Sequence, residues 1–178
     1  MANTKILYTR EQIVRRISEL AKEIASDYKG EKVVMIGILK GSFVFFADLI
    51  RELYWVGLTD VVVDFMTISA YGAGTTHSGQ THVLADITRD ILDKHVIVVE
   101  DIVDSGHTLT FVKKYLLAKK PKSLKFAVFL DKIERREVEF TLTLSHKGRG
   151  VSGRVVHAIF GCWLRISLLI IFPSLSNL

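Results

Sequence analysis

Four short, mostly apolar runs, at residues 32–39, 61–68, 95–99 and 123–130, the first of them rich in valine and isoleucine, punctuate the chain. Runs apolar at nearly every position need cover on both faces, as the strands of a buried parallel sheet do. The intervening stretches read differently. Ile13, Ile17, Leu20, Ile24 and Tyr28 recur at helical spacing, with Thr9 placed to cap, Glu11 and Gln12 in the first turn, and Lys29-Gly30 to stop the helix. Residues 42–53 and 108–119 read as two further helices. Residues 71–80 hold three glycines, two threonines and a serine, a loop long enough to move, and residues 82–87 suit a strand at the sheet's far edge. Strands alternating with helices predict an α/β fold: a mostly parallel, twisted sheet flanked by helices.

Length and composition narrow the class. The 178 residues suit one domain spanning 1–178, with 49% apolar and 24% charged residues. A net charge of +5 favours anionic ligands such as phosphates or nucleic acid. The single cysteine, Cys162, excludes an internal disulfide and a cysteine-rich metal site. The first residues, MANTKILYTREQ, carry no apolar signal core, so a cytoplasmic, reducing location is expected. No repeat or low-complexity tract interrupts the chain.

The third apolar run ends unusually, as VIVVEDIVDSGHTLT over residues 96–110. In open α/β sheets, ligands sit beyond the carboxyl ends of the strands, where residues 100–108 are expected. The DSGHT stretch offers successive backbone N–H groups, a glycine for close approach, the hydroxyls of Ser105 and Thr108, and the positive end of a following helix. Those are the parts of a phosphate cradle. Glu100 and Asp101 suit sugar hydroxyls or Mg²⁺, a hard, oxygen-seeking cation. Together the parts describe a site for a phosphorylated sugar with a metal. The competing reading is a helix start that Asp104 merely caps.

The stretch resembles the phosphoribosyl-pyrophosphate signature of the purine phosphoribosyltransferases: an apolar strand, Glu-Asp, two aliphatics, Asp, a small hydroxyl residue, Gly, any residue, Thr. Leu39-Lys40-Gly41-Ser42 resembles the family's pyrophosphate loop, residues 68–79 its flexible lid, and Leu130-Asp131-Lys132 followed by Glu134-Arg135-Arg136 its purine-contact segment. The resemblance covers about residues 5–140 and is nearest to the hypoxanthine and hypoxanthine-guanine enzymes. It implies a type I phosphoribosyltransferase fold with a small hood over the purine. The implied activity is Mg²⁺-dependent transfer of ribose 5-phosphate from phosphoribosyl pyrophosphate to a 6-oxopurine, in purine salvage.

The resemblance also implies roles. Glu100 and Asp101 would hold the ribose hydroxyls, directly or through Mg²⁺. Asp104 would be the general base near the purine N7 proton. Residues Asp104, Ser105, Gly106, His107 and Thr108 would hold the 5-phosphate, with His107 as the signature's variable residue. Lys40 and Gly41 would meet the pyrophosphate at a point where the family often has a non-proline cis peptide. Lys132 would donate to the purine's 6-oxo group. Relatives usually begin the lid with Ser-Tyr; this chain reads Ser69-Ala70-Tyr71, keeping the aromatic and losing one hydroxyl. Dimers or tetramers are expected, with no nucleic-acid or membrane partner.

After residue 140 the resemblance stops. The family's purine-stacking aromatic, a further aspartate and a later arginine have no counterpart in TLTLSHKGRGVSGRVVHAIFGCWLRISLLIIFPSLSNL. The apolar run of residues 159–172 is too short to span a membrane and is interrupted by Arg165. Two accounts stand open: a divergent natural C-terminus, or a reading-frame change. Codons for residues 160–165 shifted by one base can read Leu-Val-Val-Gly-Tyr-Gly, although Ser167-Leu168 cannot then give the expected aspartate. Two other functions also stand open, a regulatory protein that keeps the fold without catalysis and a transferase that prefers xanthine. Retained Asp104 and Lys132, and the lack of an added DNA-reading domain, argue against the first.

Overall fold

A computed structural model describes residues 8–70, 81–132, 135, 137, 138 and 156–161. Six strands form one sheet in the order β3-β2-β1-β4-β5-β6: β1 (Val33–Leu39), β2 (Val61–Ala70), β3 (Thr81–Ala85), β4 (His95–Val103), β5 (Ser123–Asp131) and β6 (Val156–Gly161). All neighbours are parallel except β2 and β3. Three helices cover it: α1 (Arg10–Asp27), α2 (Phe43–Trp55) and α3 (His107–Leu117). The expected mostly parallel α/β architecture is what forms.

Period-two alternation divides the core. Val33, Met35, Ile97, Val99 and Ala127 pack with α1 and α2 on one face. Val34, Ile36, Val96, Val98, Phe126 and Val128 pack with α3 on the other. This two-sided burial is why the strands read as unbroken apolar runs. Helix α1 begins as its sequence predicts: the N–H of Gln12 donates to Thr9 Oγ1 at 3.3 Å, and the N–H of Thr9 donates to Gln12 Oε1 at 2.7 Å, a reciprocal cap. Gly37 lets α2 approach closely, since a methyl there would meet Phe46 at 2.7 Å.

Among the described residues, no helix covers β2 on the α3 face. A strap between β3 and β4 does so instead, with Ile91 buried and Ile87 packed beside it. Buried Asp64 of β2 fastens the strap by accepting the N–H groups of Thr88 and Arg89, each at 2.7 Å. Asp86, just after β3, accepts from Tyr115 Oη on α3 at 2.7 Å and from Lys119 Nζ, in the turn that follows the helix, at 2.8 Å.

Three sequence expectations are corrected. Strand β4 runs on to Val103, so Glu100 and Asp101 belong to the strand rather than the loop after it. Pairing with β5 sustains it: Glu100 lies opposite Val128 and Val103 opposite Asp131. Helix α3 begins one residue early, at His107. Residues 156–161 of the tail, not expected to be a strand, pair in parallel with β5. The lid beyond Ala70 with Tyr71, the segment's Glu134 and Arg136, and most of the tail on which a hood would draw lie outside the described residues. Among the described residues no helix is long and apolar enough to cross a membrane.

Candidate active site

The strand order reverses between β1 and β4: the chain leaves β1 for β2 on one side and β4 for β5 on the other. Such a switch point opens a crevice at the carboxyl ends of the two strands. Into it come the Lys40-Gly41 loop from β1 and the acidic loop from β4. The peptide bond between Leu39 and Lys40 is cis. Ser42 is fully buried and donates its hydroxyl to the carbonyl of Ile38 at 2.6 Å, which ties the loop to its own strand.

The two loops touch. A side chain at Gly41 would overlap the carboxylate of Asp101, so that carboxylate can lie where it does only against a glycine and would have to shift to admit a methyl. Asp101 and Glu100 therefore face different neighbours, as adjacent strand residues must. Glu100 lines a cavity of about 310 Å³ together with Asp104, Ser105, Gly106 and Thr108, walled by Ile38 and Ile68. Burial, reinforced by hydrogen bonding to and the negative charge of Asp101, pushes the Glu100 carboxyl up to about 9.

The floor of the cavity is the cradle read from the sequence. Gly106 takes a left-handed φ of 90° before the first turn of α3, a conformation that favours glycine. His107 does not line the cavity. It turns outward, its Nε2 3.0 Å from Glu137 Oε2. The N–H groups of Glu137 and Val138 both donate to the carbonyl of Ser105, at 3.0 and 3.3 Å, and that of Lys132 donates to Val103 at 2.9 Å. The segment after β5 is thus sewn onto the phosphate loop.

That segment brings Lys132 to Asp104, with Nζ 3.4 Å from Oδ2. Oδ1 of Asp104 is shielded from solvent and, among the described residues, accepts no hydrogen bond, although Arg135 Nε lies 3.4 Å away at ion-pair range. A carboxylate oxygen in that state has an unused acceptor site, as a proton acceptor needs. Ser69 lies on β2 opposite His82, at the entry to the lid. The sheet thus brings together Gly41, Glu100, Asp101, Asp104, Ser105, Gly106, Thr108 and Lys132. Exposed Lys40 adjoins them, and the His107 side chain stands apart. Sequence reading missed Asp64, whose only signal is an acid interrupting VVVDFM, and the approach of Arg135 to Asp104, which depends on a turn no periodicity announces.

As to metal, among the described residues no group of three or more histidines, cysteines or carboxylates gathers. Mg²⁺ commonly takes one or two protein carboxylates and completes its shell with phosphate and water, so Glu100 and Asp101 meet that lesser requirement.

Comparison with known proteins agrees with the geometry. The phosphoribosyl transferase domain matches residues 3–151. The hypoxanthine-guanine phosphoribosyltransferase of Aquifex aeolicus is 48% identical over 137 residues, 76% of this chain and 75% of that protein. A crystal structure of such an enzyme from Bacillus anthracis superposes with a TM-score of 0.76 at 41% identity, covering 92% of this chain and 86% of that one. The hypoxanthine phosphoribosyltransferase of Trypanosoma cruzi, in complex with the product IMP, gives 0.74 at 39% identity, covering 89% and 80%. The matched domain and these relatives place the chain in the phosphoribosyltransferase family, alongside its hypoxanthine-guanine members.

Proposed function

We propose that the chain transfers ribose 5-phosphate from phosphoribosyl pyrophosphate to hypoxanthine or guanine, releasing pyrophosphate and forming IMP or GMP in purine salvage. The observation that carries this reading is the cavity where Asp104 and Glu100 stand over the Ser105–Thr108 cradle. The 5-phosphate sits on the backbone N–H groups of that cradle and the start of α3. The pyrophosphate lies along Lys40 and Gly41. The bond from ribose C1′ to pyrophosphate breaks as the bond to the purine nitrogen forms, and positive charge develops on the sugar. The neighbouring acids favour that charge.

Asp104 takes the purine's N7 proton, and Lys132 donates to the 6-oxo group, favouring 6-oxopurines over adenine. Glu100 and Asp101 would hold the ribose hydroxyls and Mg²⁺. When bound, the metal would neutralise charge on the pyrophosphate. A cytoplasmic homo-oligomer fits this reading.

The test is pyrophosphate release by the purified chain with phosphoribosyl pyrophosphate, Mg²⁺ and each of hypoxanthine, guanine, xanthine and adenine. Release is expected with hypoxanthine or guanine, and Asp104→Asn should lower it by about 10²–10⁴-fold, the usual worth of a general base. Release with xanthine alone would refute the assigned base, and an unchanged rate in Asp104→Asn would refute the assigned role.

A further inference from the structure

Among the described residues, two cations reach Asp104. The N–H of Arg135 donates to the carbonyl of Lys132 at 2.9 Å, closing a turn that brings both side chains to the same carboxylate. Lys132 approaches Oδ2 and Arg135 approaches Oδ1, each at 3.4 Å. They are unequal partners: the Lys132 side chain is 12% exposed and that of Arg135 64%. Because Oδ1 accepts no hydrogen bond, Arg135 acts on it through charge and leaves its acceptor site open.

The inference rests on the function proposed above. There Lys132 has two claimants, the Asp104 carboxylate and the purine's 6-oxo group, and a purine that binds must loosen the first. We propose that Arg135 is a positioning residue: it keeps Asp104 charge-compensated while Lys132 turns to the purine. Without Arg135, Lys132 is the only cation of this pair left on Asp104, and that ion pair tightens at the purine's expense. The purine half of the site is then weakened and the phosphoribosyl half is untouched.

Equilibrium binding tests this without turnover. Calorimetric titration of the full chain with IMP, and separately with phosphoribosyl pyrophosphate, would compare wild type, Arg135→Gln and Arg135→Lys, alone and combined with Asp104→Asn. Arg135→Gln should weaken IMP about two- to fivefold, the scale of a partly exposed ion pair, and leave phosphoribosyl pyrophosphate unchanged. Arg135→Lys should restore IMP affinity. The effect should vanish in the Asp104→Asn background, because Arg135 acts through that carboxylate. An equal loss for both ligands, or a loss that persists without the Asp104 charge, would overturn the positioning role while leaving the transferase reading intact. Failure of wild type to bind IMP at all would overturn the transferase reading and the role of Arg135 with it.

Discussion

The two ends of β4 are both polar, and they differ in how their charges are used. At its start, His95 Nδ1 shares a hydrogen bond with Ser123 Oγ at 2.6 Å, and the edge of the Tyr28 ring meets the imidazole at 5.2 Å between centroids. Around them Lys125 bonds Asp27 at 3.0 Å and Lys122 pairs with Glu31 at 3.6 Å. Anion and cation alternate, so charge is neutralised within the fold. At its other end, Glu100 and Asp104 line a cavity with Asp101 behind them against Gly41, one carboxyl is pushed up to about 9, and one carboxylate oxygen has no donor among the described residues. Both ends keep buried polar atoms without a hydrogen bond among the described residues, Tyr28 Oη and His95 Nε2 at the first and Asp104 Oδ1 at the second, so what separates them is charge: ion pairs surround the first, and carboxyl groups gather at a cavity in the second.

The largest break in that contrast is expected at Gly41→Ala. The added methyl would displace the Asp101 carboxylate, and misplacement on the scale of 1 Å can cost about 10²-fold in rate. Pyrophosphate release should fall by about that factor while the melting temperature barely moves; a matched fall in stability would show the contact to be structural. A smaller, opposite case is Asp64, also a buried acid but one fully engaged with backbone donors. Asp64→Ala should cost about 2 kcal/mol of stability, because the strap's N–H groups lose their acceptor. Urea unfolding measures this, and an unchanged midpoint would remove the strap's main fastening from the account.

The smallest effect is expected at His95. Burial, then the nearby charge of Lys122, holds its imidazole below the ordinary value, against the opposing pull of Glu31. The unfolded chain therefore takes up the proton more readily, at about pH 6.5. Stability should fall as pH drops through that value and level off below the folded one. Urea midpoints at pH 7.5 and 5.5 should show a shallower decline in His95→Gln than in wild type, and identical declines would place the acid sensitivity elsewhere.

Much of this was legible beforehand, for identifiable reasons. Helix α1 carries both its periodicity and its reciprocal Thr9–Gln12 cap in local sequence, and both appear. Gly106 was readable as the glycine a phosphate cradle needs for close approach, and its positive φ is what the structure adds. The extension of β4 was not, because Glu100 and Asp101 look like loop residues until β5 is laid beside them. The turned-out His107 depends on Glu137, thirty positions along, and Arg135 meets Asp104 only after Lys132 has been tied to Val103. Local sequence encodes caps and periodicity, whereas these pairings arise only when distant segments meet.

The sixth strand has a consequence for how the chain tolerates change. Residues 156–161 join β5 by backbone ladder, and a ladder reads peptide groups, which every sequence supplies. An outer berth on a parallel sheet thus asks little of its occupant's side chains, so architecture there is forgiving where recognition is not. Substitutions in such a berth can leave the fold unchanged and be felt first by whatever its side chains touch.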